Sequence, residues 1–386
     1  MSSINVSKDD LERLACLRLI RSENVGPRTF FSLLKVFKTA KIAVEKVSSL
    51  YSSGKLKRKI KLCSEQEARE EIERTLQYGA ELIFYNDERY PELLKEIPDY
   101  PPVLTVFGKR KDLLSKDKIA IVGSRSASVN GANFAHKIAA EVSDAGYVIT
   151  SGFARGIDNY AHKGSLNHGT IAVLANGIDH IYPAENKNLY NEISEHGLLI
   201  TEQAFGSLPK ATNFPQRNRI ISWLSLAIIV IEASVKSGSL ITARLAAEQN
   251  REVLAVPGFP LDIRYSGTNY LIKQGASLLE TAEDVFNAVR MEVRIKRKEN
   301  QLELDLSDQN DTEICEATNI DDKPQKKDLD KIHELVLSKL GTMPVSIDQL
   351  VQLLKLPVSC ISLALIELEL EGKLERVGSN QVMLVV

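Results

Sequence analysis

Between about residues 8 and 76 apolar positions recur three and four apart, as in "DDLERLACLRLI" and "TFFSLLKVF", and predict helices. From about residue 81 to 289 the rhythm changes to short β-rich runs alternating with amphipathic helices. The strands read "ELIFY", "IAIVG", "YVITS", "TIAVLA", "LLITE", "LAIIVIEA" and "EVLAVP". Being almost continuously apolar, they suit a parallel sheet covered on both faces, an α/β doubly wound architecture. The proline-rich stretch "NDERYPELLKEIPDYPPVLTVFG" is read as a lead-in to that sheet. Residues 291–328 are charged, poor in aromatics and without sustained period, which predicts a flexible linker. The remaining chain predicts three helices and a hairpin turning at Gly378, Ser379 and Asn380, the order of a winged helix.

Four segments follow: 1–78 helical, 79–290 α/β, 291–328 linker and 329–386 winged helix. In the first, "SENVGPRT" joins two helices through an apolar-Gly-Pro turn that resembles helix-hairpin-helix and SAM-like modules; an ordinary helix–helix turn reads the same way.

A length of 386 residues with 44% hydrophobic content suits two or three domains. The N-terminus "MSSINVSKDDLERL" shows neither a signal nor a transit pattern, and the longest apolar run, residues 220–231, is shorter than the roughly 20 residues a bilayer needs. Four scattered cysteines without a C-x-x-C pair argue against a zinc site or disulfide framework, so a soluble cytoplasmic protein is expected. With a net charge of −2, any polyanion site must come from local clustering of Lys and Arg.

Such clustering occurs in the loops after the strands, where an open α/β sheet binds ligands. Small residues and hydroxyls (Ser124, Ser151, Gly152, Ser237, Gly238, Ser239) share that rim with Arg125, Lys163, Lys210, Arg217 and Arg219. The first loop, "IAIVGSRSASVNG", looks like a phosphate turn but has neither G-x-G-x-x-G nor G-K-[ST], and places Arg125 directly after Gly123 and Ser124. "SGSLITARLAAEQN" opens a helix with small donors at its positive end; simple capping by Ser237 explains the same residues. In "NFPQRNRI", Phe214 beside Arg217, Asn218 and Arg219 has the chemistry of single-stranded nucleic-acid binding, a ring for a base and guanidinium groups for phosphate. The competing reading packs Phe214 in the core and pairs one arginine with Glu202 or Glu232. Catalytic motifs are absent; His162 is assigned to packing, and Asp158 and Asp179, each in a "GID" turn, to capping. No cofactor or metal is expected.

Taken in order, "IAIVGSR", "SGFARGIDNYAHKGSL", "TIAVLANGIDHIYPAENKNLY", "NFPQRNRIIS", "EASVKSGSLITARLAAEQNREVLAVPG" and "GTNYLIKQGA" closely resemble the DNA-processing protein A (DprA/Smf) family over about residues 80–285. The resemblance implies a Rossmann-like, mostly parallel sheet in a non-enzymatic recombination mediator. Such a mediator binds and protects incoming single-stranded DNA in natural transformation, helps load RecA, and dimerises through the Rossmann-like domain. It carries DNA contacts onto Arg125, Phe214, Arg217, Arg219 and the Ser237-Gly238-Ser239 turn, with Lys210 a looser match. Trp223, where a small residue is usual, and "ITEQAFG", which lacks a proline, depart from the pattern. The main rival is a nucleoside-monophosphate hydrolase of related fold, which carries P-G-G-x-G-T; "VPGFP" lacks the second glycine. A third reading, a winged-helix duplex regulator, is opposed by the acidic "VSCISLALIELELEG".

Overall fold

The computed structural model describes residues 8–52, 60–290, 326–340, 345–354, 361, 364–365, 368, 374–377 and 381–384. Packing divides the chain into two compact units, residues 1–303 and 304–386.

The first unit begins with α1 (Lys8–Arg21), α2 (Pro27–Phe37), α3 (Ala40–Ser52) and α4 (Glu65–Gln77). Pro27 starts α2 because its ring presets a helical φ and its missing N–H would be unpaired there anyway. A reciprocal capping box between Ser64 and Glu67 starts α4. Leu17, Leu19, Phe30 and Ala68 are buried in a core that also takes in Phe84 and Val103 from the sheet. The expected boundary at residue 78 is therefore bridged by shared apolar contacts.

Nine strands follow: β1 (Glu81–Phe84), β2 (Val103–Phe107), β3 (Lys118–Gly123), β4 (Val148–Ser151), β5 (Thr170–Val173), β6 (Leu198–Thr201), β7 (Ala227–Ile231), β8 (Glu252–Ala255) and β9 (Ser277–Leu278). Their order is β1-β2-β6-β5-β4-β3-β7-β8-β9, parallel from β6 to β9, with β1 and β2 antiparallel at one edge. The segment read as a lead-in thus contains β2, which pairs with both β1 and β6. Its prolines lie before Val103, so they shape the approach and leave the strand's N–H groups intact.

Connecting helices are α5 (Glu92–Lys95), α6 (Val129–Asp144), α7 (Ile157–Ser165), α8 (Lys187–His196), α9 (Asn213–Trp223), α10 (Gly238–Glu248), α11 (Ser266–Lys273) and α12 (282–290). Strand alternation assigns the two faces. Ala120, Val122, Ile228 and Val230 pack with Ile220 and Ile221 of α9 and Ala243 and Ala246 of α10. Ile119, Ile121, Ile229 and Ile231 face Ile138 and Val142 of α6 and Val285 of α12. Each buried Val or Ile among them contributes roughly 1.5–3 kcal/mol. Trp223 belongs to the first cluster, under the Arg251 guanidinium at 5.2 Å, and Arg251 pairs with Glu96 at 2.8 Å. The unusual tryptophan is therefore accommodated by packing.

In the second unit α13 (Lys326–Lys339) and α14 (Ile347–Leu354) pack on an antiparallel sheet of β10 (Val345–Ser346), β12 (Gln381–Leu384) and β11 (Leu374–Val377), in that order. Ile361, Ala364, Leu365 and Leu368, at helical spacing, bury against Val336 and Leu350. Most of the expected linker, and the turn at residues 378–380, lie outside the described residues; α13 starts at Lys326, inside the expected linker. Among the described residues no helix is long and apolar enough to cross a membrane.

His162 is fully buried in α7; its Nδ1 bonds Thr170 Oγ1 at 2.8 Å, and burial pushes its pKa down to about 3. The unfolded chain takes up this proton below about pH 6.5 while the native chain does not, so stability is present above that pH and is lost as pH falls toward 3. In urea unfolding at successive pH values, His162→Gln is expected to lose up to about 1.4 kcal/mol less per pH unit than the wild type across this window. Parallel pH profiles would contradict the assignment.

Candidate nucleic-acid interface

The chain steps outward from β3 through β4, β5 and β6, then returns to place β7 on the other side of β3. The crevice beyond the carboxyl ends of β3 and β7 is the topological switch point, where such sheets bind ligands. In dinucleotide-binding proteins the N-terminus of the first crossover helix takes a pyrophosphate there. Here Glu232 fills that position. Its carboxylate accepts the Ser128 N–H at 2.8 Å, the Ser128 hydroxyl, and the Tyr265 hydroxyl at 3.2 Å, while Ser128 Oγ caps Gly131 N–H at 3.0 Å. A Cβ on Gly131 would stand 2.5 Å from that carboxyl carbon. Gly123 is constrained by the fold as well, since its Cβ would lie 1.8 Å from Ile231 O on the neighbouring strand.

With the helix end closed, the open part of the crevice is a groove of about 890 Å³ running from Arg125 and Phe214 past Asn218 to Ser237, Gly238 and Ser239. Arg125 is exposed, with its guanidinium over the Phe214 ring at 5.4 Å; among the described residues it has no carboxylate partner. Tyr182 packs on Phe214 with ring centroids 5.8 Å apart and is 43% exposed, leaving a paired aromatic surface open to solvent. A side pocket of about 150 Å³ opens beside this pair, lined by Asn176 and Arg155 among others. Ser124 Oγ accepts Ser126 N–H at 3.1 Å and shapes the Arg125 turn.

At the groove's centre Ser237 caps α10 through Ser239 N–H at 3.3 Å, its hydroxyl bonds that of Ser239 at 2.6 Å, and Asn218 Nδ2 donates to Gly238 O at 3.4 Å. A Cβ on Gly238 would meet nothing within 4 Å, and its φ is not in the left-handed region. The fold therefore does not require this glycine.

Several residues expected to touch DNA instead hold the groove from beneath. Arg217 lines it, yet the residue is only 5% exposed, and its Nη1 donates to Gly152 O and Val173 O. Burial pulls its pKa down to about 10, and the same burial raises Asp158 above the usual carboxylate range, against the pull of Arg217. Gly152 must lack a side chain because the guanidinium occupies its Cβ position, and Ser151 Oγ donates to Ile121 O at 2.6 Å inside the sheet. Asp158 accepts N–H groups of Gly152 and Ala154, and Asp179 that of Gly206, so both fix loops. Arg219 pairs with Glu202 and, at 3.8 Å, with Asp99, so its partner is Glu202 and not Glu232. Lys163 sits in the last turn of α7 over the Tyr160 ring at 5.6 Å and does not line the groove. Lys210 is exposed between Pro209 and Ala211, which do line it. The turn at Gly258 is closed by the Tyr265 ring, 2.0 Å from where a Cβ would be.

Sequence reasoning missed Tyr182, quoted only within its loop, and Glu232, considered only as a partner for arginine. A tyrosine beside a proline after a strand was the signal for the first; a lone acid ending an apolar strand was the signal for the second.

A doubly wound sheet whose nucleotide seat is closed and whose open groove carries a cation, paired rings and a hydroxyl-rich helix start has the chemistry expected of a polyanion-binding α/β protein. Comparison makes this specific. Residues 81–290 match the family model for DNA recombination-mediator protein A, with a DprA-like N-terminal HHH domain over 10–73 and a DprA winged helix domain over 321–380. The chain is 33% identical to Protein Smf of Synechocystis over 315 residues, covering 78% of this chain and 79% of that one. It is 42% identical to DNA processing protein DprA of Bacillus subtilis over 210 residues, covering 54% and 71%. Among solved structures, DprA from Streptococcus pneumoniae superposes with a TM-score of 0.60 at 30% identity, covering 74% of this chain and 98% of that chain. A Helicobacter pylori DprA structure concerned with its single-stranded DNA binding mode gives a TM-score of 0.51 at 29% identity, covering 55% and 96%. The chain belongs to the DNA recombination-mediator protein A family.

Because Arg217 ties two backbone carbonyls and faces Asp158, Arg217→Ala is expected to destabilise the fold by about 3 kcal/mol or more. Chemical denaturation measures this, and a midpoint equal to wild type would contradict it.

Proposed function

We propose that this chain is a non-enzymatic recombination mediator that binds single-stranded DNA along the β3–β7 groove, protects it, and helps load RecA. It works without a cofactor, as a homodimer through the Rossmann-like domain, in the cytoplasm of a cell that takes up DNA. The observation that carries the reading is the Arg125, Phe214 and Tyr182 cluster opening onto the Ser237–Ser239 turn. The H. pylori relative, with its single-stranded DNA binding mode, supports the choice of ligand.

The chemistry follows from the geometry. Arg125 grips phosphate, the Ser237 and Ser239 hydroxyls and the Asn218 amide donate to the next phosphates, and Lys210 supplies charge from the loop above. Bases stack on the Phe214 and Tyr182 faces, an interaction that tolerates sequence because every base has a π-face. Paired bases in a duplex cannot reach these rings. Arg217 and Arg219 act as positioning residues: the first fixes the β4 and β5 loops, the second anchors α9 to Glu202.

Fluorescence anisotropy with labelled single strand and duplex across a salt series tests the reading. Binding should favour the single strand and weaken steeply with salt. Arg125→Ala and Phe214→Ala should each lose about tenfold in affinity. Gly238→Ala should keep or raise the melting temperature, since alanine is the better helix former, while weakening DNA binding by crowding the backbone approach. Wild-type affinity in Arg125→Ala and Phe214→Ala would rule out this groove.

A further inference from the structure

Beyond the Ser237–Ser239 turn the groove changes character. Its far end is lined by Ile241, in the first turns of α10, and by Ile263 and Arg264 from the loop after β8. That loop, residues 258–265, shows three large apolar side chains at alternate positions: Phe259 is 68% exposed, Leu261 86% and Ile263 74%. Ile241 adds a fourth at 41%. Ile241 and Ile263 share the groove lining, and Phe259 and Leu261 stand on the same short loop, a concentration of exposed apolar side chains that suits a binding surface.

The loop is held in this form by the protein. The Asn269 side chain donates to Gly258 O at 2.9 Å and accepts Gly258 N–H at 3.2 Å. Tyr265 lies against Gly258 and reaches Glu232 at 3.2 Å, tying the loop to the carboxylate that closes α6. Asp262 accepts Arg264 N–H at 3.0 Å and holds the Arg264 guanidinium through both carboxylate oxygens. The one cation at this end is thus neutralised in place among the described residues, and the surface around it is apolar. Such a surface suits base faces and offers little to phosphate; Phe, Leu and Ile side chains are the residue types that wedge against bases.

Resting on the single-stranded DNA reading above, we propose that loop 258–265 is a second base-contacting platform, on which Ile263 with Ile241, and Phe259 beyond them, receive bases of the same strand after it passes the Ser237–Ser239 turn. Continuity fixes the occupant: Ile263 and Arg264 line the same groove as Arg125 and Phe214.

The experiment measures affinity for oligo-dT of increasing length with wild type, the double variant Phe259→Ala/Ile263→Ser, and Arg125→Ala, with sedimentation velocity for self-association. All substituted loop side chains are exposed, so melting temperatures should match. The loop variant should bind the shortest oligonucleotide like wild type and longer ones about tenfold more weakly, so the gain in affinity with length is lost. If the loop variant binds every length like wild type while Arg125→Ala is weakened, the platform is wrong and the groove stands. That holds equally if the loop variant loses self-association, which would assign the loop to contact between copies. If Arg125→Ala binds the shortest oligonucleotide like wild type, the groove reading fails and the platform with it.

Discussion

The arrangement around the switch point depends on one buried carboxylate. Glu232 follows β7 directly with φ at +50°, a conformation that costs a non-glycine residue energy and persists only when its surroundings fix it. What fixes it is the start of α6 on one side and Tyr265 on the other. A single side chain thereby occupies the helix end where a nucleotide phosphate would otherwise sit, holding the Ser128 cap that takes the Gly131 N–H, and joins three loops: after β3, after β7 and before α11. The protein has the sheet order of a nucleotide-binding fold without the vacant anion seat. The remaining opening is shared among several loops.

This arrangement explains the odd glycine pattern of the first loop. Gly123 and Gly131 are required by neighbouring protein atoms, Ile231 O and the Glu232 carboxylate, so they say nothing about ligand. Gly238 is the informative one, because nothing in the fold needs it. The arginines divide in the same way. Arg125 projects over a ring into solvent, whereas Arg217 and Arg219 spend their hydrogen bonds on carbonyls and carboxylates inside the protein. Adjacent positions in one short motif, Asn218 and Arg219, therefore face different surroundings, one the groove and the other an ion pair with Glu202.

Much of this was legible in the sequence. Seven strands were marked by apolar runs, and the loops after the parallel ones fall together because a parallel sheet puts all such loops on one edge. β2 was obscured by the prolines before it, and its antiparallel pairing with β6 depends on partners distant in the chain. At the site, residue type alone could not separate Arg217 from Arg125. Which guanidinium is buried depends on the side of α9 that meets Gly152 and Val173, and this is set by packing across the sheet. Tyr182 escaped notice for a similar reason: its contact with Phe214 joins a loop to the first turn of α9 about thirty residues further on, and no local pattern records it.

If Glu232 closes the nucleotide seat and the open groove takes a strand, as proposed, the protein should refuse a small nucleotide and accept an oligonucleotide. Isothermal titration calorimetry of the full chain with a nucleoside monophosphate, with NAD, and with oligo-dT tests it most directly. The expected result is saturable, salt-sensitive binding of the oligonucleotide and no measurable binding of either small nucleotide at millimolar concentration. Stoichiometric, micromolar binding of a small nucleotide that displaces the oligonucleotide would contradict it.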